Sequence, residues 1–160
     1  MKRHSWAARL ALAVMVVLGL AGPAAAGEQV PFKGSLEGVV TITPLKPPYV
    51  SVLVNATGNA THLGRFTLAI PHMVNRANRS ATGTYQFVAA NGDTLTASFS
   101  GKATPTATRG VLSIVEAATI TGGTGRFAGA TGSFTCVRLF NTVIGTTAGS
   151  FNGTISVPGP

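Results

Sequence analysis

The chain has 160 residues, 45% of them hydrophobic and 10% charged, which excludes a disordered tail. Its four acids, Glu28, Glu37, Asp93 and Glu116, are too few and too scattered for a calcium cage. One cysteine, Cys136, excludes an internal disulfide framework and a cysteine-rich zinc site, and the net charge of +8 is spread without the basic stripe and stacking aromatics that nucleic acid requires.

Residues 1–26 read as a secretory signal peptide. Lys2, Arg3 and Arg9 form a positive start, Leu10 to Leu20 is an apolar run, Pro23 breaks it, and Ala24-Ala25-Ala26 is a small-residue cleavage site. The run is short for a membrane span, and no twin-arginine pair precedes it, so Sec-type export with cleavage after Ala26 is expected. Three of the twelve cations leave with the signal, so nine cations and four acids remain, a net charge of +5. No later apolar run is long enough to span a membrane. The expectation is a secreted or periplasmic protein with a single domain over 27–160.

From residue 32 onward the apolar period is two. Phe32, Leu36, Val40 and Ile42 share one face with Gly34 and Gly38, opposite Lys33, Ser35, Glu37 and Thr41. The same alternation runs through Phe66, Leu68 and Ile70, through Leu95, Ala97 and Phe99, and through Phe151, Ile155 and Val157. Side chains of a strand point to opposite faces in turn, so these are half-buried strands. No amphipathic helix of three turns is present. Turn residues at 44–48, 58–64, 75–83, 101–110, 121–132 and 141–149 divide the chain, and Asn91-Gly92 predicts a type I′ hairpin between runs at 84–89 and 94–100. About eight strands with glycine-rich turns predict a sandwich or a closed barrel, and eight strands can enclose packed side chains or one small ligand.

The stretch from Thr119 to Gly132, with Gly122-Gly123-Thr124-Gly125-Arg126-Phe127-Ala128-Gly129-Ala130, resembles the glycine-rich turn before a late strand in the allene oxide cyclase and dirigent barrel superfamily. The segment from Asn59 to Thr67 is similar to a motif of exported bacterial proteins with this barrel. The resemblance implies an eight-stranded antiparallel up-and-down barrel, a bacterial source, often a homotrimer, and an apolar lumen in which a few polar groups orient a guest. It implies no cofactor. The cyclases close a ring on a fatty-acid epoxide, and dirigent proteins steer the coupling of phenolic radicals. The cyclases' catalytic residues have no one-to-one match here.

Glu116 shares a face with Leu112, Ile114, Ala118 and Ile120. If that face is the lumen, a carboxylate in apolar surroundings holds its proton more tightly and can act as general acid or base. If the face of Val111, Ser113, Val115 and Ala117 is the inner one, Glu116 is solvated. Cys136 lies with Phe134, Arg138 and Phe140, either as a reactive thiol or as a small buried residue. Tyr85 and Arg138 are further candidates for the lumen. His62 and Arg65 either bind an anionic group at the barrel mouth or hold a strand entry. A metal centre would need His62, His72 and a distant Glu without ligand spacing, so none is expected. The glycines at 122, 123, 125 and 129 are expected to serve the turn, with Phe127 tucked under the barrel end and Arg126 bonding loop carbonyls. Arg76 and Arg79, in the loop after residue 75, could attract anionic surfaces weakly.

Three functions fit this sequence. The first is a non-catalytic or dirigent-like binder of a small apolar ligand in the lumen. The second is an isomerase or cyclase of the allene oxide cyclase type, acting on an oxidised lipid through Glu116. The third is a structural barrel packed shut by Phe66, Phe87, Phe99, Phe134 and Phe151.

Overall fold

The computed structural model describes residues 27–157; residues 1–26, where a signal peptide is expected, lie outside the described residues. Eight antiparallel strands follow one another around a closed barrel: β1 (Val30–Pro44), β2 (Tyr49–Ala60), β3 (Gly64–Asn75), β4 (Ser80–Ala89), β5 (Thr94–Pro105), β6 (Val111–Gly123), β7 (Thr131–Asn141) and β8 (Thr146–Ser156). A single helical turn, Gly125–Phe127, interrupts the β6–β7 connection. Each strand pairs with its sequence neighbours, and β1 closes the barrel on β8, with Val30 opposite Ile155. Closure removes every sheet edge.

The period-two pattern decides which side faces in. Phe32 and Leu36 on β1, Val52 and Val54 on β2, and Phe66, Leu68 and Ile70 on β3 are buried, while their neighbours in sequence are mostly exposed. On β6 the inner face is that of Glu116, Ala118 and Ile120, which resolves the ambiguity of that strand. Val115, on the other face, is 47% exposed.

Several positions that read as turns are strand interior. Gly58, Gly83, Gly101 and Gly149 all lie inside strands. Each sits opposite a bulky inward side chain: Gly58 faces Phe66, Gly83 faces His72, Gly101 faces Glu116, and Gly149 faces Arg138. A Cβ at any of them would run into that partner or the backbone beside it. These glycines make room for bulk across the ladder, so the strands extend further than turn composition indicates.

The hairpin at Asn91-Gly92 also differs from expectation. Gly92 has φ of 90°, but Asn91 does not have the positive φ that a type I′ turn requires. The Gly92 N–H donates to the Ala89 carbonyl at 2.9 Å, and the Ala89 N–H donates to the Asp93 carbonyl at 2.8 Å. The loop is therefore a longer one ending in a left-handed glycine, which leaves the Asp93 side chain free to meet the β6–β7 turn.

Candidate functional site

The lumen has two halves. One end is sealed by Phe127, Leu63 and Ala130, all buried beneath the barrel. Above them Phe32, Phe66, Phe87, Phe134 and Phe151 pack ring against ring, with Phe87 touching the other four and centroids 5.0 Å apart for Phe32 and Phe151. Tyr85 stacks on Phe87 and meets Phe99 and Phe134 edge-on at 5.1 and 5.2 Å. These are the tilted and T-shaped arrangements that aromatic quadrupoles favour.

A buried polar cluster lies across the middle of the lumen. Glu116 and Arg138 come from register-paired strands, β6 and β7, and are 0% and 2% exposed. Arg138 donates from Nη2 to Glu116 Oε1 at 2.7 Å and from Nε to Oε2 at 3.1 Å, a forked ion pair. Tyr85 reaches past the intervening β5 and donates its hydroxyl to Glu116 Oε2. Arg138 Nη1 donates to Thr147 Oγ1 at 3.2 Å, and Thr147 donates to the Leu139 carbonyl at 2.8 Å. Among the described residues no buried side-chain nitrogen or oxygen lacks a partner. Burial opposes the Arg138 cation, but its hydrogen bonds to Glu116 and the carboxylate's charge outweigh that and raise its pKa. Burial first, then the Glu116 charge, pushes the Tyr85 phenol far up, so it remains a donor. Burial pushes the Cys136 thiol up to about 11, so at neutral pH it is a packed apolar group rather than a nucleophile.

Above this cluster the lumen is open. A cavity of about 500 Å³ is walled by Val40, Val52, Leu112, Ile114 and Phe140. Arg138 and His72 lie at its floor, and Arg76 and Arg79 at its mouth. His72 Nδ1 lies 2.9 Å from the Ile70 carbonyl. A carbonyl only accepts, so Nδ1 carries the proton and Nε2 is left as an acceptor on the cavity wall. Burial lowers the His72 pKa, with the nearby Arg138 charge acting in the same direction against the Ile70 bond, so the neutral ring is favoured.

The structure thus brings Glu116, Tyr85, Arg138 and Cys136 together. Glu116 is in the lumen, where the cation and the phenol engage both its oxygens. His62 and Arg65 do not join the site. They lie at the sealed end, both exposed, because Arg65 occupies an outward position of β3. His62, at φ of 66°, reaches the Pro31 carbonyl at 3.2 Å through Nε2 and holds the entry of β1. His62, outside at the sealed end, therefore lies apart from His72 in the lumen, and among the described residues no group of three or more metal-type ligands gathers.

The glycine-rich turn also belongs to the sealed end. Gly122, Gly125 and Gly129 have φ of 133°, 58° and 74°, and a Cβ on Gly125 would overlap the Asp93 carboxylate. Gly123 is similarly crowded by the Thr94 carbonyl. Asp93 Oδ2 accepts from the Arg126 N–H at 3.3 Å and lies 3.6 Å from Arg126 Nε, while Arg126 Nη2 donates to the Leu63 carbonyl at 3.5 Å. The turn is a cover plate over Phe127.

Sequence reasoning passed over Thr147 and gave His72 no role in the lumen. Both lie on inward faces, and the alternation through Ile70 and through Phe151 carries that signal once the barrel is assumed.

The closed eight-stranded antiparallel barrel is similar in fold to solved dirigent proteins. Its solved structural neighbours include the pterocarpan synthase dirigent protein GePTS1, with a TM-score of 0.57 and 12% identity, covering 93% of this chain and 100% of the other. They also include the pterocarpan synthase dirigent protein PsPTS1, at 0.56 and 8% identity, covering 83% and 97%. No protein-family profile matches the chain, and no curated protein is detectably similar in sequence. The kinship is one of fold.

Proposed function

We propose that this chain is an exported, dirigent-like barrel that holds a small apolar guest in the open half of its lumen without transforming it. The observation that carries the reading is the cavity of about 500 Å³ above a cluster in which Glu116, Arg138, Tyr85 and Thr147 already hold one another's hydrogen bonds. Its size falls in the usual range of small-molecule sites, roughly 300–1,000 Å³. Apolar walls supply affinity, and His72 Nε2 offers one acceptor that would orient a guest carrying a hydroxyl or amine. Glu116, with both oxygens engaged, serves to fix Arg138 and Tyr85 rather than to shuttle protons.

The test pairs two measurements on the protein purified from its own host. Native mass spectrometry is expected to find a retained small molecule. Replacing Ile114 by Trp, which fills the cavity from its wall, is expected to abolish binding of an apolar fluorophore such as phenylnaphthylamine while leaving the melting temperature nearly unchanged. Undiminished fluorophore binding by a folded Ile114→Trp protein would overturn the lumen reading. The same spectra test the homotrimer, which the half-exposed outer row of Val115, Val137 and Leu139 supports as a self-association surface. They also test export, by showing whether the chain starts at Gly27.

A second reading, an isomerase or cyclase of the allene oxide cyclase type, is favoured by the open acceptor of His72 beside the Glu116–Arg138 pair. It requires the recovered guest to be converted, and conversion to be lost in His72→Gln while the guest still binds.

A further inference from the structure

The rim around the open mouth has a chemistry that lumen binding does not use. Four loops form it, at residues 45–48, 76–79, 106–110 and 142–145. They are tied into a ring. The Arg76 N–H donates to the Pro48 carbonyl at 2.9 Å, and the Ala103 N–H to the Arg79 carbonyl at 3.0 Å. The Thr142 N–H donates to the Gly110 carbonyl at 2.8 Å, and the Val40 N–H to the Gly145 carbonyl at 2.8 Å. This ring holds Val143 and Ile144 out at a hairpin tip, 79% and 68% exposed, more than any other large apolar side chain among the described residues. Leu45 and Tyr49, at the neighbouring β1–β2 turn, are each 43% exposed. Apolar tips held this far into water have no intramolecular partner, and such a surface marks an interaction site.

The charges at this end are of one sign. Lys46, Arg76, Arg79 and Arg109 lie in the rim loops, and Lys102 lies near the end of β5, opposite Ser80. No salt bridge reaches any of them among the described residues. The four carboxylates are elsewhere: Glu116 is in the lumen, Glu37 is midway along β1, and Glu28 and Asp93 are at the sealed end. Five of the nine cations after residue 26 therefore face one way with no acid among them.

We propose that the open rim docks on the surface of an anionic lipid bilayer. Val143, Ile144, Leu45 and Tyr49 enter the interface, and the five cations meet lipid phosphates. Apolar tips on separate loops suit a fluid interface, which fills between them, and the surrounding cations match the negative surface potential of anionic lipid. Nucleic acid is disfavoured, since the rim loops carry no aromatic side chain on which bases could stack, and Tyr49 stands alone beside them at the start of β2. In this pose the cavity mouth faces the headgroups, so an apolar molecule passes between bilayer and lumen without crossing water. The docking does not depend on the lumen being occupied, and a barrel that bound no guest would still dock.

The experiment is co-sedimentation with vesicles of phosphatidylglycerol and phosphatidylcholine in equal parts, against vesicles of phosphatidylcholine alone. The protein is used in the form its host retains, with the first residue fixed by intact mass. Binding is expected to the anionic vesicles only and to weaken with added salt. A Val143→Ser, Ile144→Ser double variant and an Arg76→Ser, Arg79→Ser double variant are each expected to lose affinity by roughly tenfold or more. All four positions are on loops, and unchanged melting temperatures verify the fold. Failure to bind anionic vesicles, equal binding to neutral ones, or full binding by both variants would each overturn the proposal. So would a change in subunit number on replacing Val143 and Ile144 with vesicles absent, which assigns the tips to a second copy of the chain.

Discussion

Below Glu116 the lumen is filled by phenylalanine rings in mutual contact and sealed by Phe127; above it the same eight strands present Val40, Val52, Leu112 and Ile114 and leave space. The backbone is continuous through both halves, so the difference lies in side-chain volume alone. Where phenylalanine rings from β1, β3, β4, β7 and β8 converge the barrel is solid, and where the walls are mostly valine and isoleucine it is hollow. The polar cluster sits at the boundary because Arg138 needs Glu116 and Thr147 to be buried at all, and the packed rings around Tyr85 hold its hydroxyl on the carboxylate. The packed half supplies rigidity and the hollow half supplies capacity.

The boundary offers the largest effect. Arg138→Met leaves Glu116 buried without its cation, and the expected loss is about 3–5 kcal/mol in urea unfolding. Adding Glu116→Leu to that variant should recover most of it; if the single variant is as stable as the parent, the ion pair does not define the boundary. Next comes truncation within each half. Phe134→Ala opens a hole among rings and should cost about 3–5 kcal/mol, whereas Phe140→Ala enlarges a space already open and should cost about 1 kcal/mol. Equal costs would erase the distinction between the halves. The smallest effect is one of pH. The His72 pKa is lowered in the fold, so the unfolded chain takes up this proton more readily than the folded one. Its contribution is complete above the ordinary value of 6.5 and is lost as pH falls through the lowered value. The melting temperature should therefore fall as pH drops from 6.5 toward the lowered value, and less steeply in His72→Gln.

The alternation of Phe32, Leu36 and Val40, and of Phe66, Leu68 and Ile70, carried the strand count and the barrel. It also placed Glu116, Cys136 and Arg138 on single faces. It could not say which face of β6 looks inward, because both are apolar, and a shift of one residue exchanges them. Nor could it bring Tyr85 onto Glu116, since that contact joins β4 and β6, which do not pair but flank β5. The glycines at 58, 83, 101 and 149 misled on boundaries for a physical reason: composition marks glycine as a turn residue, whereas here it is a vacancy for the side chain opposite. His62 and Arg65 were close in sequence at a strand entry, but the entry belongs to the sealed end, and the linear chain does not say which end is open.

Those paired vacancies bear on how such a barrel could change its guest over evolutionary time. Arg138 with Gly149, Glu116 with Gly101, and Phe66 with Gly58 are each one unit of volume written at two positions. A larger residue at the glycine is blocked while its partner stays, and a smaller partner alone leaves a void. Remodelling the interior therefore calls for coordinated double replacements across the ladder. Ile114 and Val52 themselves face no glycine across their ladders and are free to vary singly, whereas His72 in the same chamber is tied to Gly83. Diversification of contents is thus channelled into the upper chamber, with the lower one inherited nearly intact.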